Sequence, residues 1–314
     1  MARYLVTGGA GFIGSHVARA LLDQGHEVVI VDNLSTGLAS NLPPTAQFIH
    51  ADLTDPATIK LLPVGQYAAV IHIAGQSSGA IGQKSPYADL QANVGSTMLL
   101  AQWCATQGIR RFLYASSMAV YGLGNREPRD EDWQCQPISY YGSSKFASET
   151  YLRATLADGL EPICLRLYNV YGAGQNLGNL YQGMASIYLA YLLAGGPVPV
   201  TGSLDRYRDF VHVDDVVAAF LAALHAPYPS SMIFNIGTGR RTTVQEILAL
   251  LIKLMDLPPD HPIHTSANTP GDVFGSVANV ERARRELQWE AGTRLEDGLK
   301  TMVDWARQVR ALKP

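Results

Sequence analysis

Tyr141 and Lys145 stand four residues apart in the run Tyr141-Gly142-Ser143-Ser144-Lys145, so on a helix they share one face. A phenol with its ordinary pKa near 10 is a poor base at neutral pH. A neighbouring ammonium stabilises the phenolate, and a downward shift of about three units takes roughly 4 kcal/mol of differential interaction. Ser117, 24 residues before Tyr141, can hydrogen-bond the same substrate oxygen as the phenol. Together the three predict a general base that removes a hydroxyl proton while a hydride leaves the same carbon. Tyr140 is a rival, but the residue four beyond it is Ser144, which carries no charge. With 15 tyrosines in the chain the spacing alone decides little, and the residues before it supply the context.

A departing hydride needs an acceptor. The run Thr7-Gly8-Gly9-Ala10-Gly11-Phe12-Ile13-Gly14 follows a β-branched stretch and opens a helical one. Glycines at 8, 11 and 14 permit a tight turn with positive φ and a close approach of backbone to a pyrophosphate. The helix that follows turns free N–H groups and its positive end toward that anion. Asp32 lies 18 residues beyond Gly14, at the end of the second apolar run, close to the spacing of about 20 of dinucleotide sites. A carboxylate there accepts both adenosine ribose hydroxyls and repels a 2′-phosphate, which favours NAD over NADP; the plainer alternative is a turn residue ahead of Asn33. Asp52 either reaches the adenine edge or caps a helix.

These residues need a scaffold. Short apolar runs at 4–7, 27–32, 47–51, 68–73, 111–115 and 163–167 alternate with helical stretches at 15–24, 95–107 and 143–157, with Gly25 and Gly108 as helix stops. Continuous apolar strands alternating with helices predict an α/β fold, a doubly wound parallel sheet of Rossmann type. Ser116 and Ser117 then fall at the carboxyl edge of the sheet, where ligands of such folds bind. Past residue 172 the texture changes. A Gly/Asn-rich stretch at 172–183 reads as a loop, and helices follow at 184–194, 214–225, 243–255, 281–287 and 295–309. The Pro/His-rich segment 257–270 reads as a surface connection. The expectation is an NAD-binding domain at 1–172 and a smaller, mostly helical substrate lobe at 173–314, with segments exchanged between the two.

Composition excludes several classes. The 314 residues carry 24 Lys+Arg against 27 Asp+Glu, so no basic excess marks a nucleic-acid binder. Charged residues are 16% and hydrophobic residues 47%, the reverse of a disordered chain. No apolar run reaches the length of a membrane span, and the start of the chain shows no export signal. Three cysteines, Cys104, Cys135 and Cys164, make no disulfide framework and no metal-binding spacing, which suits a reducing, cytoplasmic setting. The eight histidines show no metal-ligand spacing either, and His261 and His264 read as solvated.

At this point the chain resembles the extended short-chain dehydrogenase/reductase family, and within it the nucleotide-sugar epimerases and dehydratases. The matching stretches are TGGAGFIGSH (7–16), VDNLSTG (31–37), ADL (51–53), HIAGQ (72–76), SSMAVYG (116–122), YGSSK (141–145), NVYGAGQ (169–175), RDFVHVDD (208–215), NIGTG (235–239) and PGDV (270–273). They run in family order over nearly the whole chain. The resemblance is strongest to the UDP-glucose 4-epimerase type.

The resemblance implies a catalytic triad of Ser117, Tyr141 and Lys145. It implies NAD contacts at Gly8, Gly11, Phe12, Ile13, Gly14, Asp32, Asn33, Asp52, Leu53, Ile73, Ala74 and Tyr168, with Tyr141 and Lys145 beside the nicotinamide. Substrate contacts fall on Ser117, Tyr141, Asn169, Arg208 as a diphosphate clamp, Asp272 as a ribose acceptor, and Ser276. Arg208 has an alternative as an ion-pair partner of Asp205 or Asp209. Family dehydratases carry an Asp-Glu pair directly after the catalytic hydroxyl; here Met118-Ala119 stands there, and neither can move a proton. What remains is reversible oxidation at C4 of a UDP-hexose. Ser276 is small where bulk restricts the family to plain hexoses, so it admits an N-acetyl group, unless it merely starts an extended segment. The chain departs from the family at Thr269, where arginine is usual, and at Asn279, where an acid is usual. A homodimer is implied through the stretches 95–107 and 143–157, with Met98, Leu99, Trp103, Phe146, Tyr151 and Leu152 as apolar candidates. A 4-keto-sugar reductase or dehydratase on the same scaffold, or a non-catalytic NAD sensor, are the competing readings.

Overall fold

The apolar runs form strands that send alternate side chains into two separate cores. In Glu27–Asp32, Val28 and Ile30 enter one core while Val29 and Val31 enter the other. In Arg3–Thr7, Tyr4 and Val6 likewise oppose Leu5. The structure is a computed structural model that describes residues 1–124, 127–267 and 273–311.

The strands are β1 (Arg3–Thr7), β2 (Glu27–Asp32), β3 (Gln47–His50), β4 (Ala69–His72), β5 (Arg111–Ser117), β6 (Glu161–Leu167), β7 (Asn169–Tyr171), β8 (Val198–Thr201), β9 (Tyr207–Arg208), β10 (Phe210–His212), β11 (Ile233–Ile236), β12 (Thr242–Thr243), β13 (Ile263–Ser266) and β14 (Gly275–Ser276). The helices are α1 (Phe12–Asp23), α2 (Gly79–Lys84), α3 (Pro86–Leu90), α4 (Ser96–Gln107), α5 (Tyr140–Ala154), α6 (Met184–Ala194), α7 (Val213–His225), α8 (Val244–Leu254), α9 (Glu281–Glu286) and α10 (Leu295–Ala311).

The main sheet has seven parallel strands in the order β11-β6-β5-β4-β1-β2-β3. This is the expected Rossmann-type fold. After β3 the chain returns to place β4 on the other side of β1, so a crevice opens at the carboxyl ends of β1 and β4. Val17 and Leu21 of α1 with Val216 and Phe220 of α7 cover one face; Leu100 and Trp103 of α4 with Leu152 of α5 cover the other. A third core joins α6, α8 and α10 to β8 and β10.

Several expectations shift. The strand β11, from the second half of the chain, completes the edge of the first-half sheet beside β6. The helix predicted at 143–157 begins at Tyr140, because Ser139 caps it by accepting the Gly142 N–H at 3.1 Å. The helix predicted from 95 is preceded by a wide π turn over Gln91–Gly95. The segment 257–270 is more than a connection: β13 pairs in parallel with β8, and His261 Nε2 lies 3.1 Å from the Gly196 carbonyl. Of the predicted interface residues, Trp103 and Leu152 are core side chains at 4% and 0% exposure; Trp103 packs edge-on to Tyr67. Phe146 packs against the cluster around Val120 and Tyr121. Among the described residues no helix is long and apolar enough to cross a membrane.

Candidate active site

The turn after β1 is built around positions that tolerate no side chain. Gly8 has φ +70, and a Cβ there would sit 2.7 Å from the Ala74 nitrogen. A Cβ on Gly14 would sit 2.1 Å from the Gly8 carbonyl oxygen. The chain turns tightly, with Gly11 N–H donating to Gly8 O at 3.0 Å, and α1 starts at Phe12 with no side chain capping its first N–H groups. Those groups face the cavity as an anion site.

At the end of β2, Asp32 is 8% exposed. Its Oδ2 accepts the Ala10 N–H at 3.0 Å and its Oδ1 the Leu34 N–H at 2.8 Å. Each oxygen keeps a second lone pair for a ribose hydroxyl. Asp52 does not cap a helix; that role belongs to Asp55, which accepts the Ala57 N–H at the start of the short 3₁₀ turn Pro56–Leu61. Asp52 instead accepts from the Thr54 N–H and hydroxyl, both at 2.8 Å, and from Asn33 Nδ2 at 2.9 Å. Burial raises its pKa, but these donors outweigh burial and hold the carboxyl below its usual range.

The floor between these acids and the catalytic pair is tied by Thr7 and His72. Thr7 Oγ1 accepts the Ile73 and Ala74 N–H groups, both at 3.2 Å, and lies 2.7 Å from His72 Nδ1. His72 is fully buried, and burial, aided by the Lys145 charge, lowers its pKa to about 3, so the ring is neutral.

Ser117 ends β5, and Tyr141 and Lys145 occupy successive turns of α5. Gly142 lets α5 approach the 3₁₀ turn Met118–Tyr121: a Cβ there would meet the Ala119 carbonyl at 2.5 Å. That approach brings the phenol to the Ser117 hydroxyl. The expected lowering of the tyrosine pKa is not present in the protein alone. Burial pushes Tyr141 up to about 12, against the Ser117 hydrogen bond, and the Asp89 carboxylate adds to the rise. Burial also pushes Lys145 down to about 8, opposed by the Asp89 and Glu149 charges. The lysine is 4% exposed, donates to the Ala115 carbonyl at 3.0 Å and lies 4.8 Å from the centre of the Tyr114 ring. Its ammonium is held on the β5 backbone. A buried ion pair braces this edge: Arg166 donates to both Glu149 oxygens, at 2.9 and 2.7 Å, and Glu149 accepts the Ser116 hydroxyl at 2.5 Å.

All the predicted cofactor positions, with Ser117 and Asn169, line one cavity of about 780 Å³. That lies within the roughly 300–1,000 Å³ usual for ligand sites. Met118 and Ala119 line it beside Ser117. Arg208 and Ser276 are not part of that lining. Arg208 is 3% exposed and donates to the carbonyls of Tyr207, Phe274 and Val273 at 2.8, 3.2 and 2.9 Å. The carboxylate of Asp209 is taken by Thr238, Gly239 and Ala278. Ser276 is 0% exposed on β14 and faces the Tyr168 phenol rather than the cavity. Asp272 and Thr269 lie outside the described residues. Asn279 accepts the Glu281 N–H at 3.0 Å in the turn before α9, whose N-cap is Val280.

Other residues of the lining go beyond the expected set: Gln76, Gly174 and Gln175 fall within the family-matching stretches 72–76 and 169–175, and the rest carry no sequence signal. Asp89 and Gln76 line the cavity next to the catalytic pair. The loop before α6 contributes Gly174, Gln175, Asn176, Asn179, Gln182 and Gly183. It is tied across the cavity by Gln182 to Ser77 at 2.5 Å and by Asn176 to the Thr36 carbonyl at 3.4 Å. Tyr168 OH, Asn169 Oδ1 and Gln175 Oε1 are buried without a hydrogen-bond partner among the described residues. Among those residues no cluster of His, Cys, Asp or Glu could hold a metal ion.

The donor set fits NAD: a glycine cradle with free N–H groups for the pyrophosphate, Asp32 for the adenosine ribose, and Lys145 with Tyr141 at the far end. Known proteins agree with this reading. The chain is 34% identical over 313 residues to the UDP-glucose 4-epimerase of Mycolicibacterium smegmatis, covering 97% of this chain and 98% of that one. It superposes on the Thermotoga maritima UDP-glucose 4-epimerase with UDP-glucose at a TM-score of 0.93 and 35% identity, covering 98% and 99% of the two chains. For the Thermus thermophilus UDP-glucose 4-epimerase complex with NAD the TM-score is 0.89 at 32% identity, covering 97% and 99%. A sequence model described as the NAD dependent epimerase/dehydratase family matches residues 4–237. The chain is an enzyme of the epimerase type and belongs to the NAD dependent epimerase/dehydratase family.

Proposed function

We propose that this protein is a UDP-hexose 4-epimerase that interconverts UDP-glucose and UDP-galactose through a 4-keto sugar. The observation that carries the reading is the meeting of Ser117, Tyr141 and Lys145 at one end of the NAD-shaped cavity, beside a Met118-Ala119 pair that has no acid or base to offer. Tyr141 takes the proton of the sugar 4-hydroxyl, and Ser117 hydrogen-bonds the same oxygen and fixes its direction. Lys145, held on the Ala115 carbonyl one helical turn from Tyr141, supplies the positive charge that favours the ionised phenol. When bound, NAD supplies a hydride acceptor for C4 and then a donor to the opposite face. Tyr141 returns its proton to the reduced oxygen. The orphaned Asn169 and Gln175 atoms are suited to sugar or phosphate groups.

The likeness to epimerases that carry UDP-glucose or NAD supports the nucleotide and the cofactor class. The burial of Ser276 removes the sequence argument for an enlarged pocket at the C2 substituent, so plain hexoses are the substrates proposed. Residues Met98, Leu99 and Tyr151 retain exposure on α4 and α5 and support a homodimer through those helices; sedimentation analysis reads the mass directly. The three free cysteines suit a cytoplasmic setting. The test of function is incubation of the NAD-loaded protein with UDP-galactose: UDP-glucose forms to equilibrium. A 4,6-dehydrated product, or net consumption of reduced cofactor, points to the dehydratase or reductase readings instead.

A further inference from the structure

Asp89 is a buried charge with a built environment. It lies in α3, is 1% exposed and lines the cavity. Its Oδ2 accepts Gln76 Nε2 at 2.5 Å; its Oδ1 accepts the Ser144 hydroxyl at 2.5 Å and Asn93 Nδ2 at 3.4 Å. Asn93 Nδ2 also donates to the Ser144 hydroxyl at 3.0 Å, which joins the three groups into one network. Ser144 belongs to α5, between Tyr141 and Lys145. Two glycines leave room for the arrangement. A Cβ on Gly82 would come within 2.8 Å of Asp89 Oδ2, and one on Gly75 within 2.5 Å of Asn93 Oδ1 and 3.4 Å of Lys145 Nζ.

The donors to Asp89 are uncharged, so they satisfy its oxygens without cancelling its field. The other titratable groups facing the catalytic pair are Glu149 on α5, Tyr114 on β5, Cys164 on β6 and His72 on β4. Glu149 is matched by Arg166, and burial keeps Tyr114, Cys164 and His72 neutral. Asp89 is thus the acid whose charge acts on both Tyr141 and Lys145. A buried carboxylate held only by uncharged donors is costly, and it is kept here at the reacting end of the cavity.

We propose that Asp89 is a positioning residue of the active site, whose fixed negative charge, held by Gln76, Ser144 and Asn93, sets the working charge state of the Tyr141–Lys145 pair. The inference rests on Tyr141 acting as the base. Asp89 opposes ionisation of the phenol and favours the ammonium, so it keeps Lys145 protonated and moves the onset of activity to higher pH. Its removal slides both limbs of the pH profile toward acid.

The test uses the NAD-loaded enzyme and Asp89→Asn, read by the pH dependence of kcat/KM and by near-ultraviolet phenolate absorbance, each spectrum referenced to the same protein carrying Tyr141→Phe. Both limbs and the Tyr141 phenolate band are expected to move down by about one pH unit. Asp89→Glu keeps the charge and restores their positions whatever its effect on kcat. A drop in kcat equal at every pH, with the phenolate band unmoved, overturns the proposal. If Asp89→Asn does not fold, Gln76→Met removes a donor that holds the carboxylate charged and moves the band downward, in the same direction; an unmoved band there overturns it equally. Turnover surviving in Tyr141→Phe sinks the base reading alone, while the phenolate band still decides the role of Asp89.

Discussion

The two ends of the cavity differ in how their polar groups are spent. At the adenosine end Asp32 and Asp52 each hold backbone N–H groups. At the opposite end Asn169 Oδ1 and Gln175 Oε1 are buried without partners among the described residues. A buried polar atom left unpaired costs on the order of 1–3 kcal/mol. One end is therefore preformed by the fold, and the other is completed by what binds there. In the proposed reading the chemistry stands at the boundary, where Ser117, Tyr141 and Lys145 are fixed by β5 and α5.

Substitutions separate the two ends, beginning with the boundary. Tyr141→Phe is expected to lower kcat by about 10²–10⁴-fold while the purified protein keeps its NAD, measured by released cofactor. Equal loss of NAD would merge the two regions into one. Gly8→Ala puts a Cβ 2.7 Å from the Ala74 nitrogen at a position of φ +70. NAD is expected to be lost on dialysis, with UDP-sugar binding by calorimetry weakened far less. Asn169→Ala acts at the other end: KM rises about tenfold, the effect of one hydrogen bond to a charged group, with NAD content unchanged.

The last effect, on stability and not on turnover, concerns the floor shared by both ends. The folded pKa of His72, about 3, lies below the ordinary value of 6.5, so the unfolded chain binds the extra proton between those limits. Stability is full above pH 6.5 and falls as pH drops, by up to about 1.4 kcal/mol per unit, until about pH 3. Urea unfolding across that range measures the slope, and His72→Gln is expected to flatten it.

The preformed end was also the legible one. Gly8, Gly11, Gly14 and Asp32 act through backbone geometry and a fixed spacing, so their pattern survives in one sequence. Tyr141 and Lys145 were readable because helix periodicity places them together. Their electrostatics were not, because the phenol responds to burial and to Asp89, which an acid between Ala88 and Leu90 does nothing to announce. Trp103 and Leu152 show the same limit: an apolar residue on a helix reads alike whether it meets its own core or another chain, and here both meet the core. At the sugar end, Gln175 and Gln182 come from a loop without periodicity, and Ser276 was assigned to a pocket from which Tyr168 separates it. The strand β11 lay hidden because nothing in Ile233–Ile236 says which sheet it joins.

The central claim is tested most directly by incubating the NAD-loaded protein with UDP-galactose and following the sugar by NMR. The account predicts UDP-glucose as the product, no net change in reduced cofactor, and loss of conversion in Tyr141→Phe. Undiminished conversion in that variant, or no conversion of UDP-galactose by folded, NAD-loaded protein, would contradict it.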